Sequence, residues 1–285
     1  MKTTSSSKSI SKEMTCPEAG SERISKMSFS QHERQDLLNA KGLLESKSFA
    51  AKLSDAVGRT IEKGFKFLPD KWNKMVQKAI SCSLEKTFQL TVITLDDQPK
   101  NKSSEKLHKL AVASTGAVGG FFGLVALTAE LPVSTMIIMR SIMDIARSEG
   151  EAIESIETRL ACMEVFALGG RTDEDDSTET GYFAIRAILA REISEILENI
   201  TKRLIAKGAI PQMGRFLTQI GSRFGIVVSS KIAAQAIPIA GAIGGASINT
   251  IFINHFQAMA RGHFIIRRLE KKHGKEEIKK LYHEI

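Results

Sequence analysis

The chain has 285 residues, of which 42% are hydrophobic, and its 40 lysines and arginines outnumber its 32 acidic residues by eight. This length suits one domain of moderate size or two small ones. The apolar fraction excludes a wholly disordered chain, and three cysteines are too few for a disulfide-rich secreted scaffold. The composition also excludes a collagen, a coiled-coil rod and a polytopic transporter.

The N-terminal segment differs from the rest of the chain. Residues 1–28 are rich in Ser, Thr, Lys and Glu, which predicts a disordered tail. The segment lacks the apolar core of a secretory signal, and Lys2 occupies the position where N-myristoylation requires glycine. Residues 29–285 are predicted to form one all-α domain.

Three helices are predicted in the first third of the chain. Ser30 and Glu33 have the spacing of a capping box and predict a helix start. From Phe49 to Phe67 apolar residues recur about every four positions, which predicts a single second helix. The third helix is predicted to bury one face, which consists of Trp72, Met75, Val76, Ala79, Ile80, Leu84 and Phe88.

A first uncharged run, LAVASTGAVGGFFGLVALTA, covers residues 110–129. As a helix it would be about 30 Å long, which is near the thickness of a membrane's hydrocarbon core. Twelve of its twenty residues are Gly, Ala, Ser or Thr, which favours close helix packing over lipid contact. The sequence Glu130-Leu131-Pro132 is predicted to interrupt it and to separate the two helices of a hairpin. The predicted packing glycines are Gly116, Gly119, Gly120 and Gly123.

Two further helices are predicted between the uncharged runs. Ser148 and Glu151 again have capping-box spacing and predict the start of a helix that Gly169 and Gly170 end. Residues 171–180 form an acidic loop, and an amphipathic helix is predicted from Tyr182 to Lys207.

The second uncharged run covers residues 232–260. Pro238 and a glycine cluster are predicted to divide it into a second hairpin. The packing glycines here are Gly241, Gly244 and Gly245, and the pentapeptide GAIGG nearly repeats the GAVGG of the first run. No convincing stretch alternates as a strand does, so the predicted fold is an all-α helical bundle with two Gly-rich apolar helical hairpins.

Three blocks resemble the signature of the EcsC family: GAVGGFFGLVALTAELPVSTMIIMRSIMDIARSEGE, RLACMEVFALGG and IPIAGAIGGASINTIFINHFQAMARGHFIIRRLEKKHG. The resemblance covers roughly Ser30 to Tyr282. It implies a bacterial protein from a family named after the third member of an operon that also encodes an ABC transporter. A role as an accessory or regulatory factor of a membrane transporter follows by analogy alone, and the resemblance implies no catalytic residues.

The sequence contains none of the common catalytic motifs. G-x-S-x-G, H-E-x-x-H and the Walker A lysine motif are absent, and no Rossmann glycine pattern follows a strand. Cys16, Cys82 and Cys162 lack metal-ligand spacing, and the last two are predicted to be core residues. No metal site or cofactor is predicted.

Polar side chains within the apolar segments need buried partners. We expect a structural polar network, within which Arg140 and Asp144 can pair along their helix. If the protein is an enzyme, His255 or His263 would act with Glu130 or Asp144 in hydrolysis. The expected network consists of Glu130, Arg140, Asp144, Asn249, His255, Arg261 and His263.

Two functional hypotheses follow from the charge pattern. Residues 261–285 contain eight Lys and Arg and four Glu, which predicts a basic surface for anionic lipid headgroups on the cytoplasmic side of a membrane. In this hypothesis the protein is a membrane-associated interaction factor whose two hairpins either lie against the membrane or insert into it, and a membrane protein is a second candidate partner. The alternative is a soluble all-α hydrolase whose uncharged runs are its core. Nucleic acid is not expected, because no basic stretch is interleaved with aromatic residues.

Overall fold

The computed structural model describes residues 29–58, 62–66, 68, 72–93, 123–170, 181–203, 211–237 and 243–285. These residues form ten α-helices and contain no strand, which confirms the predicted all-α fold. The helices are α1 (Gln31–Leu44), α2 (Phe49–Val57), α3 (Glu62–Phe65), α4 (Trp72–Phe88), α5 (Gly123–Ser148), α6 (Ile156–Leu168), α7 (Gly181–Arg203), α8 (Pro211–Ala236), α9 (Ile243–His273) and α10 (Lys275–Glu284). A π-helical turn, Gln89–Ile93, continues α4. The predicted tail, residues 1–28, lies outside the described residues.

The first helix begins as predicted. The Glu33 backbone N–H donates to Ser30 Oγ at 3.2 Å, and the Ser30 N–H donates to the Glu33 carboxylate at 2.9 Å. The prediction of one helix from Phe49 to Phe67 is wrong, because α2 ends at Val57. Gly58 follows with a φ of +66°, a left-handed conformation that stops a helix and that glycine adopts without strain.

The predicted interruption at Glu130-Leu131-Pro132 is also wrong, because α5 continues through Pro132. A proline inside a helix removes one backbone hydrogen bond. Packing against α4 and α9 compensates for that loss by burying the apolar side of α5. The buried apolar residues are Leu131, Ile138, Met139, Ile142, Ile145 and Ala146.

The connection between α5 and α6 differs from the prediction as well. Ser148 ends α5, Gly150 turns the chain with a φ of +85°, and Ser155 caps α6 by accepting from the Thr158 N–H at 3.1 Å. The predicted capping box at Ser148 is therefore wrong. Gly169 follows the last residue of α6, as predicted.

Two long helices, α8 and α9, form the centre of the bundle. Helix α9 packs against α1, α2, α5, α6, α8 and α10, and α8 packs against α2, α3, α4, α6 and α7. The ring of Phe256 lies at their crossing, 5.3 Å from Phe252, 5.4 Å from Phe166 and 5.7 Å from Phe224 between ring centroids. These tilted and edge-on contacts are typical of aromatic cores. Most of the second uncharged run that the structure describes is therefore buried core.

Cys162 is buried in this core, as predicted, whereas Cys82 is only half-buried; both are free thiols. Cys16 lies outside the described residues. Helix α7 begins at Gly181 and is described as far as Arg203, so the predicted end at Lys207 is outside the structure.

Close helix contacts occur at glycines that were not among the predicted packing glycines. A Cβ on Gly170 would overlap the backbone carbonyl of Arg223, and one on Gly64 would overlap that of Ala233. Of the predicted packing glycines, Gly123 begins α5, and Gly244 and Gly245 lie in the first turn of α9. The other four, Gly116, Gly119, Gly120 and Gly241, lie outside the described residues.

We predict that Gly170→Ala destabilises the protein by about 1–3 kcal/mol, because a backbone carbonyl cannot rotate away as a side chain can. Gly214→Ala is the control, since no atom lies within 4 Å of a Cβ there. In helix α8 this change should stabilise the protein by about 0.5–1 kcal/mol. Urea unfolding of both variants measures the difference, and equal effects would contradict the close contact at Gly170.

Candidate functional site

Helix α9 carries polar side chains on buried surfaces along its whole length. With 31 residues it is about 46 Å long. Its polar residues gather in clusters with side chains from other helices. Two of these clusters hold ionisable groups in the interior of the protein, one near each end of α9.

The first cluster, here called the Glu130 cluster, consists of Glu130, Lys231 and Asn249. Lys231 Nζ and Asn249 Nδ2 donate to the same carboxylate oxygen, Glu130 Oε1, at 3.0 and 3.1 Å. The Lys231 side chain is 0% exposed and that of Glu130 is 7% exposed. Lys231 Nζ also lies 4.6 Å from the ring centroid of Phe252, in a cation–π contact. Burial lowers the pKa of Lys231, and the neighbouring Glu130 carboxylate opposes this shift.

The Glu130 cluster connects three helices. Glu130 is on the first half of α5, Lys231 is near the end of α8, and Asn249 is near the start of α9. The predicted partners Glu130 and Asn249 do meet, but sequence reasoning missed Lys231. A usable signal existed, because Lys231 directly precedes one uncharged run and Glu130 directly follows the other.

His255 lies elsewhere along α9, beside the end of α6. Its Nε2 is 2.8 Å from the carbonyl oxygen of Gly169, and its Nδ1 is 3.5 Å from Lys52 Nζ. Since lysine can only donate, Nδ1 accepts and Nε2 carries the hydrogen that binds the carbonyl. His255 thus satisfies a carbonyl group at the end of a helix, which is a structural task.

The second cluster, here called the Glu164 cluster, consists of Glu164, Tyr182 and His263. The Tyr182 hydroxyl lies 3.0 Å from His263 Nδ1, and His263 Nε2 lies 3.8 Å from Glu164 Oε2. Burial raises the pKa of Glu164 to about 7, although the positive charges of Arg186 and Arg267 oppose the shift. Burial also lowers the pKa of His263 well below its ordinary value. Near neutral pH the imidazole is therefore neutral, and the carboxyl group is at the midpoint of its titration.

An ion pair borders the Glu164 cluster. Arg186 binds Glu270 through two hydrogen bonds of 2.6 and 2.8 Å, and its guanidinium carbon lies 5.2 Å from the ring centroid of Tyr182. Such bidentate pairs are strong and fix the geometry of both side chains. The Glu164 carboxyl group can hold a proton in this buried setting. Its three side chains are buried from solvent.

The remaining members of the predicted network lie apart from these clusters. Arg140 is exposed on α5, and Arg261 is half-buried on α9. Asp144 accepts from Arg147 Nη1 at 3.0 Å. Asp144 follows Glu130 by fourteen residues, which is about 21 Å along α5. Sequence reasoning paired the histidines with Glu130 or Asp144, whereas the carboxylate nearest to His263 is Glu164, which it had missed.

The basic residues at the end of α9 form ion pairs within the protein. Glu151 accepts from Arg267 at 3.0 Å and from Lys271 at 2.8 Å. Glu33 accepts from Lys272 at 2.6 Å and lies 3.0 Å from His273. These partners, Lys272 first, hold the pKa of Glu33 well below its usual range. Arg268 pairs with Asp36 at 2.7 Å, so α9 is fixed to α1 and to the connection between α5 and α6.

An exposed surface on α3 and α4 combines aromatic and basic side chains. The rings of Phe65 and Trp72 are 5.6 Å apart, and Phe65 and Met75 are 37% and 44% exposed. Met75 was predicted on the buried face of its helix, and that prediction is wrong. Four lysines close to these residues in the sequence are exposed. We call this surface the lysine–aromatic face: Phe65, Trp72 and Met75 with Lys63, Lys66, Lys74 and Lys78.

The lysine–aromatic face lies at the same end of the bundle as the Glu130 cluster. Gly64, which precedes Phe65, packs against the backbone of Ala233, two residues after Lys231. From residue 63 to residue 84 the chain has five lysines and one acidic residue. The surface is therefore positively charged as well as partly apolar.

A model of the EcsC protein family matches residues 22–269. The chain belongs to the EcsC protein family. The match includes both buried clusters and the lysine–aromatic face, and α10 lies beyond it. No curated protein and no solved structure matches the chain.

None of the described helices combines the length and the apolar character needed to cross a membrane. Among the side chains that the structure describes, no three His, Cys, Asp or Glu residues gather in a way that could hold a metal ion.

We predict that Lys231→Met destabilises the protein by about 3–5 kcal/mol, because it leaves the buried Glu130 carboxylate without a cation. The double variant Glu130→Gln with Lys231→Met should recover most of this loss. Lys74→Met, at an exposed position, should change the free energy of unfolding by less than about 0.5 kcal/mol. Chemical denaturation measures all three, and a double variant no more stable than Lys231→Met would contradict the pairing.

We predict that burial of Glu164 makes stability fall as pH rises. The folded-state pKa of about 7 exceeds the ordinary value of 4.5, so the unfolded chain loses this proton first. Between pH 4.5 and about 7, the free energy of unfolding should therefore fall by about 3 kcal/mol relative to that of a Glu164→Gln variant. Outside this pH interval the difference between the two proteins should be constant. Thermal and urea unfolding between pH 4 and 8 give this difference. A difference that does not vary with pH would refute it.

Proposed function

We propose that the protein is a peripheral membrane protein that attaches to an anionic, cytoplasmic membrane surface through the lysine–aromatic face. There it would act by contact, as an interaction or accessory factor. The observation that carries this proposal is the contact of exposed Phe65 with half-buried Trp72, together with exposed Met75 and four exposed lysines of the same stretch of chain.

These residue types suit the boundary between lipid and water. Tryptophan prefers the headgroup region, because its ring is apolar and its N–H can still form a hydrogen bond there. Phe65 and Met75 offer apolar surface to the outer part of the hydrocarbon layer. Each lysine near an anionic surface contributes about 1 kcal/mol of attraction. Together these contributions suffice for reversible attachment.

The position of the face supports the proposal. The Glu130 cluster brings the helix ends that border both uncharged runs to this same end of the bundle. Val133, one turn after Glu130, is 50% exposed. Helix α5, which carries Val133, packs against α4.

The basic C-terminal region, which the sequence analysis favoured for lipid contact, offers less uncompensated charge. Four of its eight cations pair with acids from other parts of the chain: Arg267, Arg268, Lys271 and Lys272. The three lysines of α10 are accompanied by three glutamates in the same helix. For this reason the proposal assigns lipid contact to the lysine–aromatic face.

The alternative function, a hydrolase, would depend on the Glu164 cluster rather than on the predicted residue pairs. A carboxyl group that titrates near pH 7 suits a general acid. We do not adopt this function, because the side chains of Glu164, Tyr182 and His263 are buried and a substrate would have to reach them through the packed helices.

We predict that the purified protein binds vesicles of phosphatidylcholine with about one third phosphatidylglycerol and does not bind pure phosphatidylcholine. Trp72 is the only tryptophan in the chain, so its fluorescence reports directly on the proposed face. Its emission should shift to shorter wavelength as anionic vesicles are added, and salt should reverse the shift.

Two triple variants separate the proposed face from the C-terminal surface. Replacing Lys66, Lys74 and Lys78 by Glu should weaken binding by about a hundredfold or more, since about 3 kcal/mol of attraction is lost. Replacing Lys275, Lys279 and Lys280 by Glu is the matched control and should leave binding unchanged. The opposite result would place lipid contact at α10. Binding to native membranes but not to protein-free vesicles would mean that the face docks on a membrane protein.

A further inference from the structure

Helix α10 packs against α9 and α1, and Leu281 and Ile285 are partly buried against the core. Gly274, with a φ of +92° and no atom within 4 Å of a Cβ position, joins it to α9. The buried residues of α10 are Ile278 and Tyr282. Lys41 of α1 donates to the carbonyl oxygen of Tyr282 at 3.0 Å and lies 5.2 Å from the centroid of its ring.

Tyr282 connects α10 to the Glu164 cluster. Its ring stacks on that of Tyr182, with 6.1 Å between centroids and 25° between planes, and it meets Phe183 edge-on at 5.1 Å. The hydroxyl of Tyr182 in turn lies 3.0 Å from His263 Nδ1. A continuous chain of contacts therefore runs from Glu164 through His263 and Tyr182 to α10.

We propose that α10 is a pH-dependent latch, and that proton loss from the Glu164 cluster releases it from the body of the protein. The latch is independent of the membrane attachment proposed above. It uses residues in the C-terminal half of α9, whereas the lysine–aromatic face lies near the N-terminal end of that helix.

The charged and titratable groups around the cluster explain how proton loss would act. The groups that act on Glu164 are Arg186 and Tyr182 of α7, Arg267, Glu270 and His263 of α9, and Lys275 of α10. With its proton, Glu164 is neutral, and Arg186 remains bound to Glu270. Without it, the buried carboxylate needs a cation from within this set, and Arg186 is the cation that acts on it most strongly.

Supplying that charge disturbs Tyr182. If Arg186 turns toward Glu164, it leaves Glu270 and withdraws from the ring of Tyr182, which it contacts at 5.2 Å. The packing of Tyr282 against Tyr182 then changes as well.

The conditions for a two-state element are met at α10. Gly274 can absorb a backbone rotation, as hinge residues do. The burial that raises the pKa of Glu164 to about 7 places the transition near neutral pH. We expect α10 to be docked at pH 6 and partly released at pH 8.

Hydrogen exchange of the full chain, read by mass spectrometry at pH 6 and pH 8 and corrected for the intrinsic exchange rates, tests the latch. In the wild type, protection of residues 276–284 should fall at least tenfold from pH 6 to pH 8, while protection of α1 is kept. In Glu164→Gln the protection of α10 should be the same at both pH values. Glu154→Gln, at an exposed position between α5 and α6, is the matched control and should keep the wild-type response.

A second variant keeps the test decisive if Glu164→Gln folds poorly. Lys41→Met removes the hydrogen bond to Tyr282 without touching the cluster, so it should lower the protection of α10 at both pH values and preserve the ratio between them. Equal protection of α10 at pH 6 and pH 8 in the wild type would overturn the proposal. So would the same pH response in the wild type and Glu164→Gln.

Discussion

Helix α9 has neighbours on nearly every side, so the polar side chains on its buried surfaces have to find partners inside the protein. From residue 248 to residue 266 only Asn254 is exposed. An unpaired buried charge costs several kcal/mol, and this constraint determines where the other helices place their polar groups. Glu130 accepts hydrogen bonds from Lys231 and Asn249. The carbonyl group of Gly169, at the end of α6, binds His255. Gln257 donates a hydrogen bond to Ser141 Oγ at 2.7 Å. Each of these hydrogen bonds fixes a neighbouring helix at one position along α9.

The positive charges of the protein are of two kinds: some form ion pairs within the protein, and others are exposed to solvent. Near the end of α9, cations such as Arg267 and Lys272 are bound by Glu151 and Glu33 and act as structural links between distant parts of the chain. On α3 and α4 the lysines are exposed and stand beside Phe65 and Met75. Since only uncompensated charge creates a field outside the protein, a count of lysines and arginines along the sequence overstates the attraction of the C-terminal region and understates that of the lysine–aromatic face.

Local features of the fold could be predicted from the sequence, and contacts between distant segments could not. The capping box at Ser30, the end of α6 at Gly169 and the all-α character depend on neighbouring residues and on helical periodicity. The continuation of α5 through Pro132 depends on packing against α4 and α9, which no local pattern reveals. Buried polar residues in α9 could be expected to need partners, and two members of the expected network, Glu130 and Asn249, form a hydrogen bond. Lys231 and Glu164 were missed because each lies at or near a helix end, in a segment whose pattern is explained by packing alone.

The ion pairs at the end of α9 also determine what α10 can do. Glu33 and Glu151 bind Lys272 and Lys271, just before Gly274, so the last turn of α9 is fixed to α1 and to the connection between α5 and α6. A rotation at Gly274 can therefore move α10 without unravelling the helix that precedes it. Because the family match ends at residue 269, α10 is joined to the family's part of the chain at a point that is already rigid. Helix α10 can change its docking while the core stays intact, because one of its two buried side chains, Tyr282, packs on Tyr182 of the Glu164 cluster.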